Sequence, residues 1–154
     1  MPRPVIVGSI DIAAPPAAVY RLISDLASWS RFAAETRISP EDLPLRLEPG
    51  ATFRAWNHAG AFRWRTTTTV LYAEPSRTLA FAVRAFGMPV STWRYDIVPT
   101  LRGSRVTEST RDSRGGLLRL FSVLFTGVGD RDARNRHNID LTLVRLRAAA
   151  EGTA

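Results

Sequence analysis

The chain contains no cysteine and no lysine. Without cysteine there is no disulfide, thiolate nucleophile, zinc–thiolate site or iron–sulfur cluster. Without lysine there is no Schiff-base chemistry and no phosphate-binding P-loop, since both need a lysine amine at the reacting group. Histidine is scarce as well: His58 and His137 are too few for a histidine-rich metal centre, and no paired-histidine zinc-protease pattern is present. Long apolar runs are also missing. The longest, Leu117 to Val128, is interrupted by Arg119 and falls short of the ~20 residues that span a bilayer. Met1 to Ser9 has no long apolar core after Arg3, so neither a signal peptide nor a membrane span is expected. A cysteine-free chain also suits the reducing cytoplasm, which is the expected location.

What the chain has in abundance is arginine. All 21 basic residues are Arg, against 14 acids, for a net charge of +7. A nucleic-acid interface gathers its basic residues into a stripe with aromatics between them. Here they are scattered, and Asp112, Asp130, Asp132 and Asp140 sit among those of the second half. We therefore expect a solvated basic surface and no nucleic-acid partner. A length of 154 residues with 45% hydrophobic content suits one domain, residues 1–154, since a chain of that size buries roughly 70% of its unfolded surface around a single core.

Val5 to Ile12 reads as a strand ended by Ala13-Ala14-Pro15-Pro16, with proline tolerated at the first turn of the helix that follows. Val19, Leu22, Ile23 and Leu26 form one helical face, and a second short helix is expected around Ser28 to Ala34 with Trp29 and Phe32. From Thr36 to Arg111 the period is two. Turn signals recur at Pro40, Pro49-Gly50, Ala59-Gly60, Glu74-Pro75-Ser76, Phe86-Gly87 and Arg102-Gly103-Ser104, which leaves room for six strands. Spacing this short implies an antiparallel meander, because parallel pairs need crossover helices. Leu117 to Ala150 is helical again, broken near Gly127 and Gly129, and Ile139, Leu143, Leu146 and Ala150 align on one face. The expected class is α+β in the order β-α-α-β6-α, with a long final helix free to cover the sheet.

Alternation then assigns faces. Trp64, Thr66, Thr68, Val70 and Tyr72 form one inward set; Leu79, Phe81 and Val83 form another; Ser91, Trp93, Tyr95 and Ile97 form a third. Around Thr52 to His58 the parity is ambiguous, and Phe53 is favoured inward over Trp56. Most strand arginines, such as Arg63, Arg65 and Arg94, fall on the solvent side. An inward face that mixes Trp64, Thr66, Thr68, Trp93 and Tyr95 fits a cavity better than a dry core, because buried hydroxyls and indole N–H groups need partners.

Two more polar residues share inward positions. Glu108 follows Val106 in parity; buried alone it would titrate high and act as an acid or base, but with 21 arginines in the chain an arginine ion pair is the expected outcome. Asn135 lies one turn before Ile139, placed either to hydrogen-bond a ligand carbonyl or to cap a backbone group. His137 faces outward on the last helix and His58 sits beside a turn; neither belongs to a hydrolase triad. The apolar stretch from Leu117 through Phe121 to Phe125 must be covered, as ordinary packing at the sheet edge, as a lid hinged at glycines, or at a second subunit in a homodimer. Leu141, Val144 and Ala148, opposite the buried stripe of the last helix, could meet it.

Four stretches carry a family resemblance: Ile12 with Ala14-Pro15-Pro16, Ala18-Val19-Tyr20, Leu22-Ile23-Ser24-Asp25 and Trp29; Glu74-Pro75-Ser76-Arg77 with Leu79 and Phe81; Trp93-Arg94-Tyr95 with Pro99; and Gly103 with Arg105-Val106-Thr107-Glu108. Together with the final amphipathic helix they make the chain resemble the SRPBCC or START-like superfamily, most of all its bacterial polyketide cyclase/dehydrase-like branch. The resemblance implies the helix-grip fold, in which a seven-stranded antiparallel sheet wraps a long C-terminal helix around a hydrophobic cavity. It implies no metal and no cofactor, and it is specific for fold rather than activity. On this reading the protein binds or carries a small hydrophobic ligand, aromatic polyketide-like or lipid-like. Phe53, Trp64, Phe81, Trp93, Tyr95 and Ile139 would supply walls, Thr66, Thr68, Glu108 and Asn135 polar contacts, and Phe121 and Phe125 a lid. The alternative is a cofactor-independent cyclase or dehydratase in which Tyr95 or Glu108 moves a proton and Asn135 holds an enolate oxygen.

Overall fold

In the computed structural model, which describes residues 5–34, 36–116, 118–120 and 130–152, strand β1 (Val5–Ile12) alternates as its sequence requires. Ile6, Ile10 and Ile12 turn inward and Val5 and Val7 stay exposed. Proline at its first position starts α1 (Pro16–Ser24), which buries Val19 and Ile23. The expected second short helix is a tighter 3-10 segment, Leu26–Arg31, that begins two residues earlier than Ser28. Its Trp29 is held in place by an indole N–H donated to the Ile23 carbonyl at 2.9 Å.

Six strands follow: β2 (Thr36–Arg37), β3 (Thr52–Ala59), β4 (Phe62–Glu74), β5 (Thr78–Ala85), β6 (Met88–Thr100) and β7 (Gly103–Asp112). All pairs are antiparallel, and the sheet order is β1-β7-β6-β5-β4-β3-β2. The meander therefore closes by bringing β7 back beside β1, giving seven strands in a curled half-barrel. Helix α2 (Arg131–Ala150) is capped at its start by the Asp130 carboxylate, which accepts the Ala133 N–H at 2.9 Å. It lies across β1, with α1 and β7 also touching it. Gly8 permits this approach, since a Cβ there would collide with the Ile139 Cγ2 methyl and sit 3.2 Å from Leu143 Cδ1. At its far end Glu151 accepts the Ala13 N–H at 2.8 Å, tying the helix to the turn after β1.

The faces fall largely as alternation predicts. Phe53 and Ala55 point inward and Trp56 is 42% exposed, which settles the ambiguous parity of β3. One inward assignment is wrong. Tyr72 is 52% exposed, under the Arg94 guanidinium 5.8 Å from its ring centre. The register slips between Val70 and Tyr72, so one extra residue reverses the parity of the rest of β4 and Ala73 turns toward the core instead. On the outer side of α2, Val144 is exposed and Leu141 and Ala148 are half-buried. The segment anticipated as a lid or dimer contact, with Phe121 and Phe125, lies outside the described residues apart from 118–120.

Candidate functional site

Curvature leaves a space between the concave face of the sheet and α2. It has a volume of about 130 Å³, room for roughly four water molecules at about 30 Å³ each, so it is a cavity and not a packing defect. Of the residues expected to form the site, Phe53, Trp64, Thr66, Thr68, Phe81, Trp93, Tyr95, Glu108 and Asn135 all line it. Ile139 does not; it is spent on the contact with β1 at Gly8.

Its deeply buried wall is aromatic. Trp29, Phe53 and Phe81 meet edge to face, with Trp29 and Phe81 ring centres 5.3 Å apart and Phe53 and Phe81 5.8 Å apart. Such contacts are favourable, because each ring edge sits on the electron-rich face of another. Trp93 and Trp64 extend the apolar wall along β6 and β4.

Polar groups are spaced along this wall, and most have partners. The Trp93 indole N–H donates to Ser91 Oγ at 3.0 Å. Thr36, Asn57 and Thr66 form a chain in which Thr36 Oγ1 donates to Asn57 Oδ1 at 3.1 Å and Asn57 Nδ2 donates to Thr66 Oγ1 at 2.9 Å. Asp112 and Arg114 make a bidentate pair, Nε to Oδ1 at 3.0 Å and Nη2 to Oδ2 at 2.9 Å, with both side chains buried. Arg114 departs from the rule that places arginines outside: it is 7% exposed and lines the cavity.

Glu108 is the exception among the carboxylates. It is 2% exposed and, contrary to the sequence expectation, has no arginine partner among the described residues. Its Oε1 accepts the Tyr95 hydroxyl at 2.8 Å, and its Oε2 has no hydrogen-bond partner. Burial pushes the Glu108 pKa up to about 8 against the opposing effect of the Tyr95 hydrogen bond. Burial likewise drives the Tyr95 phenol well above its ordinary range, and the adjacent Glu108 carboxyl adds to the effect. At neutral pH Glu108 is thus a neutral acid, able to donate a hydrogen bond or a proton. Asn135, 4% exposed, presents a second unpartnered atom, Oδ1.

Sequence reasoning missed Trp29, Asn57, Arg114, Asn138 and Thr142, all of which line the cavity. Asn135, Asn138 and Thr142 fall at helical steps of three and four and are all buried, so a polar stripe beside the apolar one was readable. Of that stripe only Asn135 was assigned inward, because nothing local shows that the sheet curls around the rest of it. His58 and His137 do not line the cavity. Among the described residues no group of three or more His, Cys, Asp or Glu could hold a metal ion, and no helix is long and apolar enough to cross a membrane.

A family described as polyketide cyclase / dehydrase and lipid transport matches residues 3–151. The chain belongs to this family. No curated protein matches it. Solved structures of similar fold include a protein from Chromobacterium violaceum, with TM-score 0.73 at 15% identity over 97% of this chain and 99% of the other. Another, from Mesorhizobium loti, gives 0.68 at 15% identity over 98% and 99%. A Polyketide_cyc-like protein from Corynebacterium glutamicum gives 0.59 at 28% identity over 96% and 91%. The family match and these folds agree with the seven-stranded sheet and its C-terminal helix.

Proposed function

We propose that the protein binds a small, largely apolar molecule between its sheet and α2, as a carrier or sequestering protein of one ligand-binding unit. The observation that carries this is the aromatic cavity itself: five large rings, from Trp29, Phe53, Trp64, Phe81 and Trp93, surround space that side chains leave unfilled. A protein selected only for stability would close such a space, since unfilled volume in a core costs about 24 cal/mol per Å³. The family description, which names polyketides and lipids, supports an apolar ligand of one of those kinds.

Filling the space tests the proposal. Ala55 and Val83 both line the cavity, and Ala55→Phe or Val83→Phe places a ring within it. Either variant is expected to weaken binding of the neutral fluorophore N-phenyl-1-naphthylamine at least tenfold. Arg94→Ala, on the exposed face, should leave its affinity unchanged. Equal affinity in all three folded variants would place the fluorophore elsewhere and remove the proposal's support.

A further inference from the structure

Two buried polar atoms, on residues that line this cavity, have no hydrogen-bond partner among the described residues, and their chemistry is complementary. Glu108 Oε2 and Asn135 Oδ1 are the buried side-chain atoms without a hydrogen-bond partner among the described residues, and both residues line the cavity. A buried polar group left unpaired costs roughly 1–3 kcal/mol, so two in one cavity mark a place where something else completes them. Asn135 Oδ1 accepts only. Glu108 at neutral pH carries its proton, and because Oε1 already accepts from Tyr95, Oε2 is the oxygen left to donate.

We propose that Glu108 and Asn135 select a ligand bearing a hydroxyl group on an apolar ring system. A hydroxyl is a small neutral group that both donates and accepts: it gives its hydrogen to Asn135 and takes one from Glu108, through one hydroxyl or through two on the same ring system. An ether or ketone accepts but leaves Asn135 unmet, and a hydrocarbon leaves both. A carboxylate would bring negative charge beside a group that burial already keeps from ionising. The surrounding rings of Trp93, Phe81 and Trp29 suit a flat scaffold. Sites built to hydrogen-bond a ligand hydroxyl reject analogues lacking it far more strongly than apolar pockets reject a missing methylene.

The inference rests on the proposed ligand-binding function, and the experiment separates the two. Equilibrium dialysis at pH 6.5 compares 2-naphthol, 2-methoxynaphthalene and naphthalene. We expect 2-naphthol to bind at least tenfold more tightly than the other two. Asn135→Leu, or Asn135→Val should the first variant fold poorly, is expected to cut that preference to threefold or less while naphthalene binding stays as it was. Three equal affinities would overturn the inference and leave the proposed function standing, with water completing the two atoms. A hydroxyl preference that survives both Asn135 variants would overturn the role given to Asn135. Failure of all three compounds to bind would contradict the ligand-binding function itself, and the inference with it.

Discussion

Glu108→Gln is expected to stabilise the protein by about 3–5 kcal/mol at pH 8 and to leave its stability near that of the parent at pH 4. The sign follows from where the proton resides. The native carboxyl titrates near 8, against an ordinary value of 4.5. Below 4.5 both native and unfolded chains hold the proton, and the group does not affect stability. Between 4.5 and 8 the unfolded chain has released it and the native chain has not. The unfolded state therefore gains about 1.4 kcal/mol for each pH unit in that window, until the native carboxyl ionises as well and the loss levels off. Glutamine keeps the shape and an oxygen for the Tyr95 hydroxyl but has no proton to lose. Urea unfolding of both proteins at unit steps from pH 4 to pH 8 should give curves that meet in acid and diverge in base. Curves that run parallel would show that Glu108 is not a neutral buried acid.

Gly103→Ala is expected to destabilise by about 3–5 kcal/mol, which threatens folding outright. Gly103 opens β7 directly opposite Thr100, the partner that closes the tight β6–β7 turn. Its φ is +148°, a conformation available to almost no residue with a side chain. The end of β1 runs against it: an added Cβ would strike the Ile12 carbonyl oxygen and lie 2.7 Å from the Ala14 amide nitrogen. Those are backbone atoms, of the last residue of β1 and of the turn that leads to α1, and they cannot rotate away as a side chain would. Gly60→Ala is the matched control. Gly60 also has positive φ, +58°, but a Cβ there meets nothing within 4 Å, so only the backbone term applies, about 1–2 kcal/mol. Thermal or urea unfolding of the two variants side by side should separate them; equal losses would remove the steric argument.

How much of this was legible in the sequence depends on how local the signal is. Strand positions and most faces follow from period-two alternation and turn residues, which act over a few residues. Tyr72 escaped because a bulge after Val70 leaves no mark in side-chain pattern. The ion pair expected for Glu108 failed for a different reason. The number of arginines does not decide the pairing; their position does: Asp11, Asp42, Asp96 and Asp112 pair with arginines at or near the surface or at the end of β7. None of those pairs reaches the middle of the sheet, where Glu108 sits opposite Tyr95. Gly103 was readable as a turn residue, whereas its contact with Ile12 and Ala14 joins segments some ninety residues apart. Asn138 and Thr142 are polar residues on a helix, and only the curl of the sheet around that helix makes them interior.

The four tryptophans give the most direct test of the cavity as a ligand site. Trp29, Trp64 and Trp93 line it, while Trp56 stands on the outer face beneath Arg65, 5.2 Å from that guanidinium. Each contributes one indole N–H resonance to a nitrogen–proton correlation spectrum. Titration with 2-naphthol should shift the three cavity resonances and leave Trp56 in place. A shift confined to Trp56, or equal movement of all four, would contradict binding between the sheet and α2.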